Sequence, residues 1–284
     1  MRYTRHCLLI LPAVLIVLSS CAAPPADLHA REGHIFFSVK EVFRNGAEGV
    51  EPSLGLGQET EKVYGCCNFS IAASLSRFGG QLNMSIKGIE MYDICLTALG
   101  PATRLDLLEL EDGVYNLEFM DGPNRCHYVL TVTESALSVS DPPGVVLPGF
   151  AQPKFRVWWR YPRNTFAVLC GTKEDSAWVN QDFLQKLRAA VGLEEITFPA
   201  DGELGYPRAP EGHWVDHPAR YFVYATESDF AAAGDVLGAY VRDVIGQMSG
   251  VSIWLLNWKN QSFRSWMMTG ASEAIPSAVS RSFE

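Results

Sequence analysis

The sequence predicts two folded units, all-β followed by α+β: an antiparallel β-sandwich over residues 35–149 and a β-α-β-β-α-β unit over 150–270. Three observations carry this. Short apolar/polar alternations of period two, punctuated by Gly, Asp, Asn and Pro, fill the first stretch in the pattern of half-buried strands. After Pro148 two longer segments take up helical spacing instead. Composition changes at the same place: residues 26–150 hold 17 Asp and Glu against 8 Lys and Arg, residues 151–284 hold 15 against 13, and all seven tryptophans fall in the second part. At 284 residues the chain is long enough to bury a sizeable core in each unit.

Before the first unit, Arg2 and Arg5 precede an uncharged 12-residue run over residues 7–18. That run falls short of the ~20 apolar residues a spanning helix needs, and it ends in small residues as an export signal does. Leu18-Ser19-Ser20-Cys21 resembles the lipobox of bacterial lipoproteins, an aliphatic residue and two small residues before a cysteine. The resemblance, confined to residues 1–21, implies removal of a signal peptide, residues 1–20, a diacylglycerol on the Cys21 sulfur and an acyl chain on its new amino terminus. Two or three chains anchor stably, at ~0.8 kcal/mol per buried CH₂. Ala22 rather than Asp in the next position implies, for that class, the outer membrane, facing the periplasm. Residues 21–34, small, polar and proline-bearing, read as the tether, and no other cofactor is expected.

Export into an oxidising compartment permits disulfides among Cys66, Cys67, Cys95 and Cys126. Cys66 and Cys67, being adjacent, point to opposite faces of any strand, so each needs its own partner. Cys170, within an apolar strand pattern, reads as a buried small hydrophobe.

In the first unit, residues 70–75 lead through Gly79-Gly80 into residues 81–86, a hairpin signal. Residues 115–119 likewise turn at Asp121-Gly122-Pro123-Asn124 into residues 128–132. Several strands at this spacing predict a sandwich. Residues 110–115, Leu-Glu-Asp-Gly-Val-Tyr, resemble the tyrosine corner of immunoglobulin-like sandwiches. The resemblance implies that architecture, with Tyr115 hydrogen-bonding back across its turn, although Leu117 stands where the immunoglobulin cysteine would be.

In the second unit, residues 155–161 and 165–170 read as strands. Asn180 caps a helix with Phe183, Leu184, Leu187 and Val191 on one face and Gly192 as its stop. A short strand, 196–198, a proline- and glycine-rich loop, 199–218, and a strand, 221–224, follow. Thr226 and Asp229 have capping-box spacing ahead of a helix that carries Phe230, Ala233, Leu237, Val241, Val244 and Met248 on one side. Gly234 and Gly238 let that helix approach the sheet closely, and residues 251–258 make the last strand. From Thr165 the order β-α-β-β-α-β matches the ferredoxin-like arrangement. Residues 271–284 read as a flexible tail.

The net charge of −9 argues against a nucleic-acid partner, which a basic surface would have to hold. His213, Asp216 and His217 are the candidate metal ligands, since imidazoles four apart meet on one helix face. Gly212 and Pro218 favour loop or strand there, and on a strand the same two rings stand ~13 Å apart. Trp158 and Trp159, beside Arg156 and Arg160, are the candidate partner-binding residues, because adjacent strand positions point opposite ways and leave one aromatic free. No nucleophile elbow, S-x-x-K, H-E-x-x-H or phosphate-binding loop occurs. A triad scattered along the chain stays open, because such sites are defined by geometry. These readings lead to a lipid-anchored envelope protein that is a non-enzymatic protein-binding or assembly module, immunity-type proteins included, with an envelope or incoming protein as partner. The alternative is an envelope hydrolase or metal-binding protein using the 199–218 loop.

Overall fold

The structure, a computed structural model, describes residues 28–65, 69–91, 98–142, 149–246 and 248–268. Eleven strands come first: β1 (Leu28–His29), β2 (Ile35–Val42), β3 (Ser53–Tyr64), β4 (Ser70–Phe78), β5 (Gln81–Glu90), β6 (Gly100–Leu108), β7 (Gly113–Asp121), β8 (Asn124–Val132), β9 (Ala136–Ser140), β10 (Ala151–Pro153) and β11 (Val157–Trp159). There follow β12 (Thr165–Thr172), α1 (Trp178–Ala190), β13 (Glu194–Ile196), β14 (Glu203–Leu204), β15 (Val215–Val223), α2 (Glu227–Tyr240), β16 (Ser252–Asn257) and β17 (Ser262–Arg264).

Hydrogen bonds join twelve strands into one curled, mixed sheet, β10-β2-β3-β6-β4-β5-β7-β8-β9-β11-β14, with β1 added beside β5. Alternation decides what faces inward: Tyr115, Leu117 and Phe119 of β7 and Cys126, Tyr128, Leu130 and Val132 of β8 are buried, with more exposed residues between them. Phe37, Phe119 and Tyr128 meet at the centre, Phe37 lying 4.5 Å from the Phe119 ring and 5.0 Å from Tyr128. The Tyr128 hydroxyl donates to the Ala151 carbonyl at 2.5 Å, tying β8 to β10 across the curl. Both expected hairpins form, and each turns on a glycine at positive φ, Gly79 and Gly122 at 56°.

The expected sandwich is not confirmed: the strands form this one curled sheet, in which β5–β7, β10–β2 and β11–β14 are parallel pairs. Period-two patterning says which side chains face inward and nothing about which strand lies beside which, so a sandwich and a curled sheet look alike in sequence. The hydrogen bond expected of Tyr115 does form, its hydroxyl donating to the Glu111 carbonyl at 2.9 Å.

The second sheet is antiparallel throughout, ordered β13-β15-β12-β16-β17. Its central strand β12 is buried along its whole length. Helix α1 starts at Trp178, two residues ahead of the Asn180 cap expected, because a 3₁₀ turn over Glu174–Ser176 leads straight into it. Helix α2 starts where expected, with Asp229 Oδ2 accepting from the Thr226 N–H at 2.7 Å. A Cβ at Gly234 would lie 2.6 Å from the Phe263 ring, so its absence lets α2 seat on β17. The two units share a seam. Strand β11, expected within the opening strand of the second unit, pairs instead with β9; β10, a strand not expected, pairs with β2, and β14 returns from the second unit to pair with β11.

Candidate active site

At one end of the second sheet, Gly171 of β12 pairs with Asp216 of β15 on one side and with Ser252 of β16 on the other. Directly paired residues share a face, so Asp216 and Ser252 flank the space where a residue-171 side chain would stand. Glycine leaves that space open, and His213 fills it: a Cβ on Gly171 would lie 2.3 Å from the imidazole Cγ and Nδ1. From there the ring reaches both neighbours. Nδ1 is 3.1 Å from Asp216 Oδ1, and Nε2 is 2.7 Å from Ser252 Oγ. Asp216 Oδ1 also accepts from the His213 backbone N–H at 3.3 Å, which clamps ring and backbone to one carboxylate.

The protonation pattern follows from the partners. A carboxylate only accepts, so Nδ1–H donates to Asp216, leaving Nε2 to accept the Ser252 hydroxyl proton. The side chains of His213 and Asp216 keep 25% and 32% of their surface, and Ser252 is half-buried, so the set is shielded yet reachable. A serine hydroxyl bonded to an imidazole, itself oriented by a carboxylate, is the constellation that generates an oxygen nucleophile.

The metal set expected at His213, Asp216 and His217 is divided by the sheet. His217 pairs with Cys170, one position from Gly171, and so faces the opposite side, where its Nε2 lies 3.1 Å from Thr172 Oγ1. Burial pushes the His217 pKa down, with the charge of Asp216 opposing. Among the described residues no group of three His, Cys, Asp or Glu side chains is arranged to hold a metal ion.

The Arg156–Arg160 segment, expected to offer aromatics to a partner, makes contacts within the chain, with Arg156 exposed and Trp158, Trp159 and Arg160 partly buried. Arg156 pairs with Asp141 at 2.9 Å, Trp158 packs on the core of the large sheet, and Trp159 packs on the second core with its Nε1–H donating to the Asp201 carbonyl at 2.6 Å. Arg160 Nε donates to Glu41 Oε1 at 2.9 Å, and Glu41 Oε2 accepts from the Tyr161 N–H at 2.7 Å. Burial pushes the Glu41 carboxyl above its usual range, against the opposing pull of those hydrogen bonds and of the Arg160 charge.

Among the described residues Cys126, expected in a disulfide, is a free buried thiol. Its side chain points into the packed interior of the large sheet, with the Gly149 backbone close against it. Cys66, Cys67 and Cys95, and the lipidation site Cys21, lie outside the described residues. Cys170 is also free and buried, and burial pushes its thiol up to about 12, which leaves it inert at neutral pH.

Ser252 is the residue that motif reading misses. It stands 39 positions from His213 on a strand start, Ser-Ile-Trp-Leu-Leu-Asn, with no local signature of a nucleophile. Comparison with protein-family models, with characterised proteins and with solved structures found no match.

Proposed function

We propose that this chain is a lipid-anchored envelope hydrolase of the serine type, with Ser252 as nucleophile, His213 as general base and Asp216 as the group that orients it. The carrying observation is the Ser252–His213–Asp216 hydrogen-bond chain. The second unit is read as ferredoxin-like, supported by the order β12-α1-β13-β15-α2-β16 and by the sheet order β13-β15-β12-β16 with every neighbour antiparallel.

In this reading Ser252 Oγ attacks a substrate carbonyl carbon while its proton passes to His213 Nε2. The tetrahedral oxyanion collapses, the leaving alcohol takes that proton, and Oγ is left acylated. Water then attacks the acyl carbon, gives a proton to the same nitrogen, and releases the acid while Ser252 recovers its hydrogen. A fluorophosphonate probe should label Ser252 in the wild type and leave Ser252→Ala and His213→Ala unlabelled. An unlabelled wild-type protein, or equal labelling of Ser252→Ala, overturns the assignment. For the anchor, Cys21→Ser should move the protein from detergent-extracted membranes to the soluble fraction, and unchanged partitioning refutes lipidation.

A second reading, partner binding or assembly, is favoured by one feature of the large sheet. Strands β4 and β6 are neighbours that pair only at Ser70 and Thr103, so among the described residues the remainder of the two facing edges carries no ladder between them. Phe78 and Leu105, on those strands, are 88% and 54% exposed. An edge of this kind accepts an added strand from another protein. A specific envelope partner that binds wild type and is lost on Phe78→Asp supports it, and binding indifferent to that change removes it.

A further inference from the structure

Resting on the hydrolase reading, we infer that Lys173 gives the site a preference for esters that carry an anionic group on the acyl chain. Lys173 is the first residue after β12, two positions beyond Gly171, which pairs with Ser252. Its stem lies over Gly250, two residues before Ser252. A Cβ at Gly250 would meet Lys173 Cε at 2.7 Å, and its φ of +75° lies in the region glycine favours. The ammonium donates to Ser249 Oγ at 2.7 Å, which holds the cation against the turn that feeds Ser252 into its strand.

Among the described residues the Lys173 ammonium forms no ion pair with a carboxylate, unlike Lys62, Lys154, Lys186 and Lys259, and it donates to a neutral hydroxyl. A fixed ammonium with spare donors beside a nucleophile recognises a carboxylate or phosphate. Lys173 directly follows β12 and its stem lies over Gly250, just ahead of β16, so an anion held there sits at the end of the sheet where Gly171 pairs with Ser252. A dicarboxylic half-ester carries such a free carboxylate at the far end of a short acyl chain.

The test compares a neutral aryl ester, p-nitrophenyl butyrate, with the anionic mono-p-nitrophenyl glutarate, on the full chain in detergent. A charge-assisted hydrogen bond predicts that wild type favours the glutarate ester by about tenfold or more in kcat/KM. The preference should lie in KM, fall to about one in Lys173→Met, and persist in Lys173→Arg. Turnover of both esters without charge preference in wild type, or a preference that survives in Lys173→Met, overturns this inference and leaves the nucleophile assignment standing. Turnover of neither ester, with Ser252 unlabelled by fluorophosphonate, overturns both.

Discussion

At the scale of single residues, the missing side chain of Gly171 lets His213 bridge two strands. An imidazole can touch both Asp216 and Ser252 because the strand between theirs carries no Cβ at that level. Gly171→Ala therefore tests the geometry without touching any group that does chemistry. The added methyl lies 2.3 Å from the ring, closer than any real Cβ contact, so His213 has to swing out. Because His213 keeps a quarter of its surface, it can leave without unfolding the sheet, and the stability cost should sit near the low end of overpacking, about 1 kcal/mol. The expected outcome is loss of Ser252 labelling with a thermal transition within a few degrees of wild type, read by probe labelling and calorimetry on the same sample.

At the scale of elements, legibility followed local physics. Helix α2 was readable because its capping residues and apolar stripe are neighbours along the chain, and Asp229 closes the cap as the spacing implied. The β4–β5 and β7–β8 hairpins were readable for the same reason, each turning on a glycine. Helix α1 begins three residues earlier than an Asn180 cap implies, since a preceding 3₁₀ turn supplies the start. The short strands β10, β11 and β14 were misplaced or missed. They hold three, three and two residues, and which sheet such a segment joins depends on partners more than a hundred positions away for β10. Alternation in the 213–217 stretch mattered most. The two histidines four apart suggested one metal site, but β15 aims His217 at the face opposite the one His213 covers.

At the scale of the whole molecule, the seam between the two sheets rests on Glu41. Its side chain is 3% exposed, and it accepts hydrogen bonds from Arg160 and from the Tyr161 backbone where the chain passes from the large sheet to the second one. Glu41→Ala strands both donors. Removing one member of a buried pair costs about 3–5 kcal/mol, and Arg160, 23% exposed, can recover some water, so about 3 kcal/mol is expected. Denaturant unfolding should show that loss. If the pair is instead dispensable, the midpoint stays within error of wild type. The strand that carries Trp158 and Trp159 lies between β9 and β14 in the same seam.

What the sequence determined by itself is local or compositional: the strand and helix periodicities, the α2 cap and the hairpin turns, and the two-part division of charge and tryptophan. These are set by residues within a few positions of one another, where propensity and side-chain period act directly. Only the tertiary structure decided that the first unit is one curled sheet and that Ser252, His213 and Asp216 meet. Sheet neighbours are chosen by burial summed over the whole core, and an active constellation is a matter of distance in space. A gap of 39 positions between serine and histidine leaves no trace in spacing, and closes to 2.7 Å only when β12 brings its glycine between their strands.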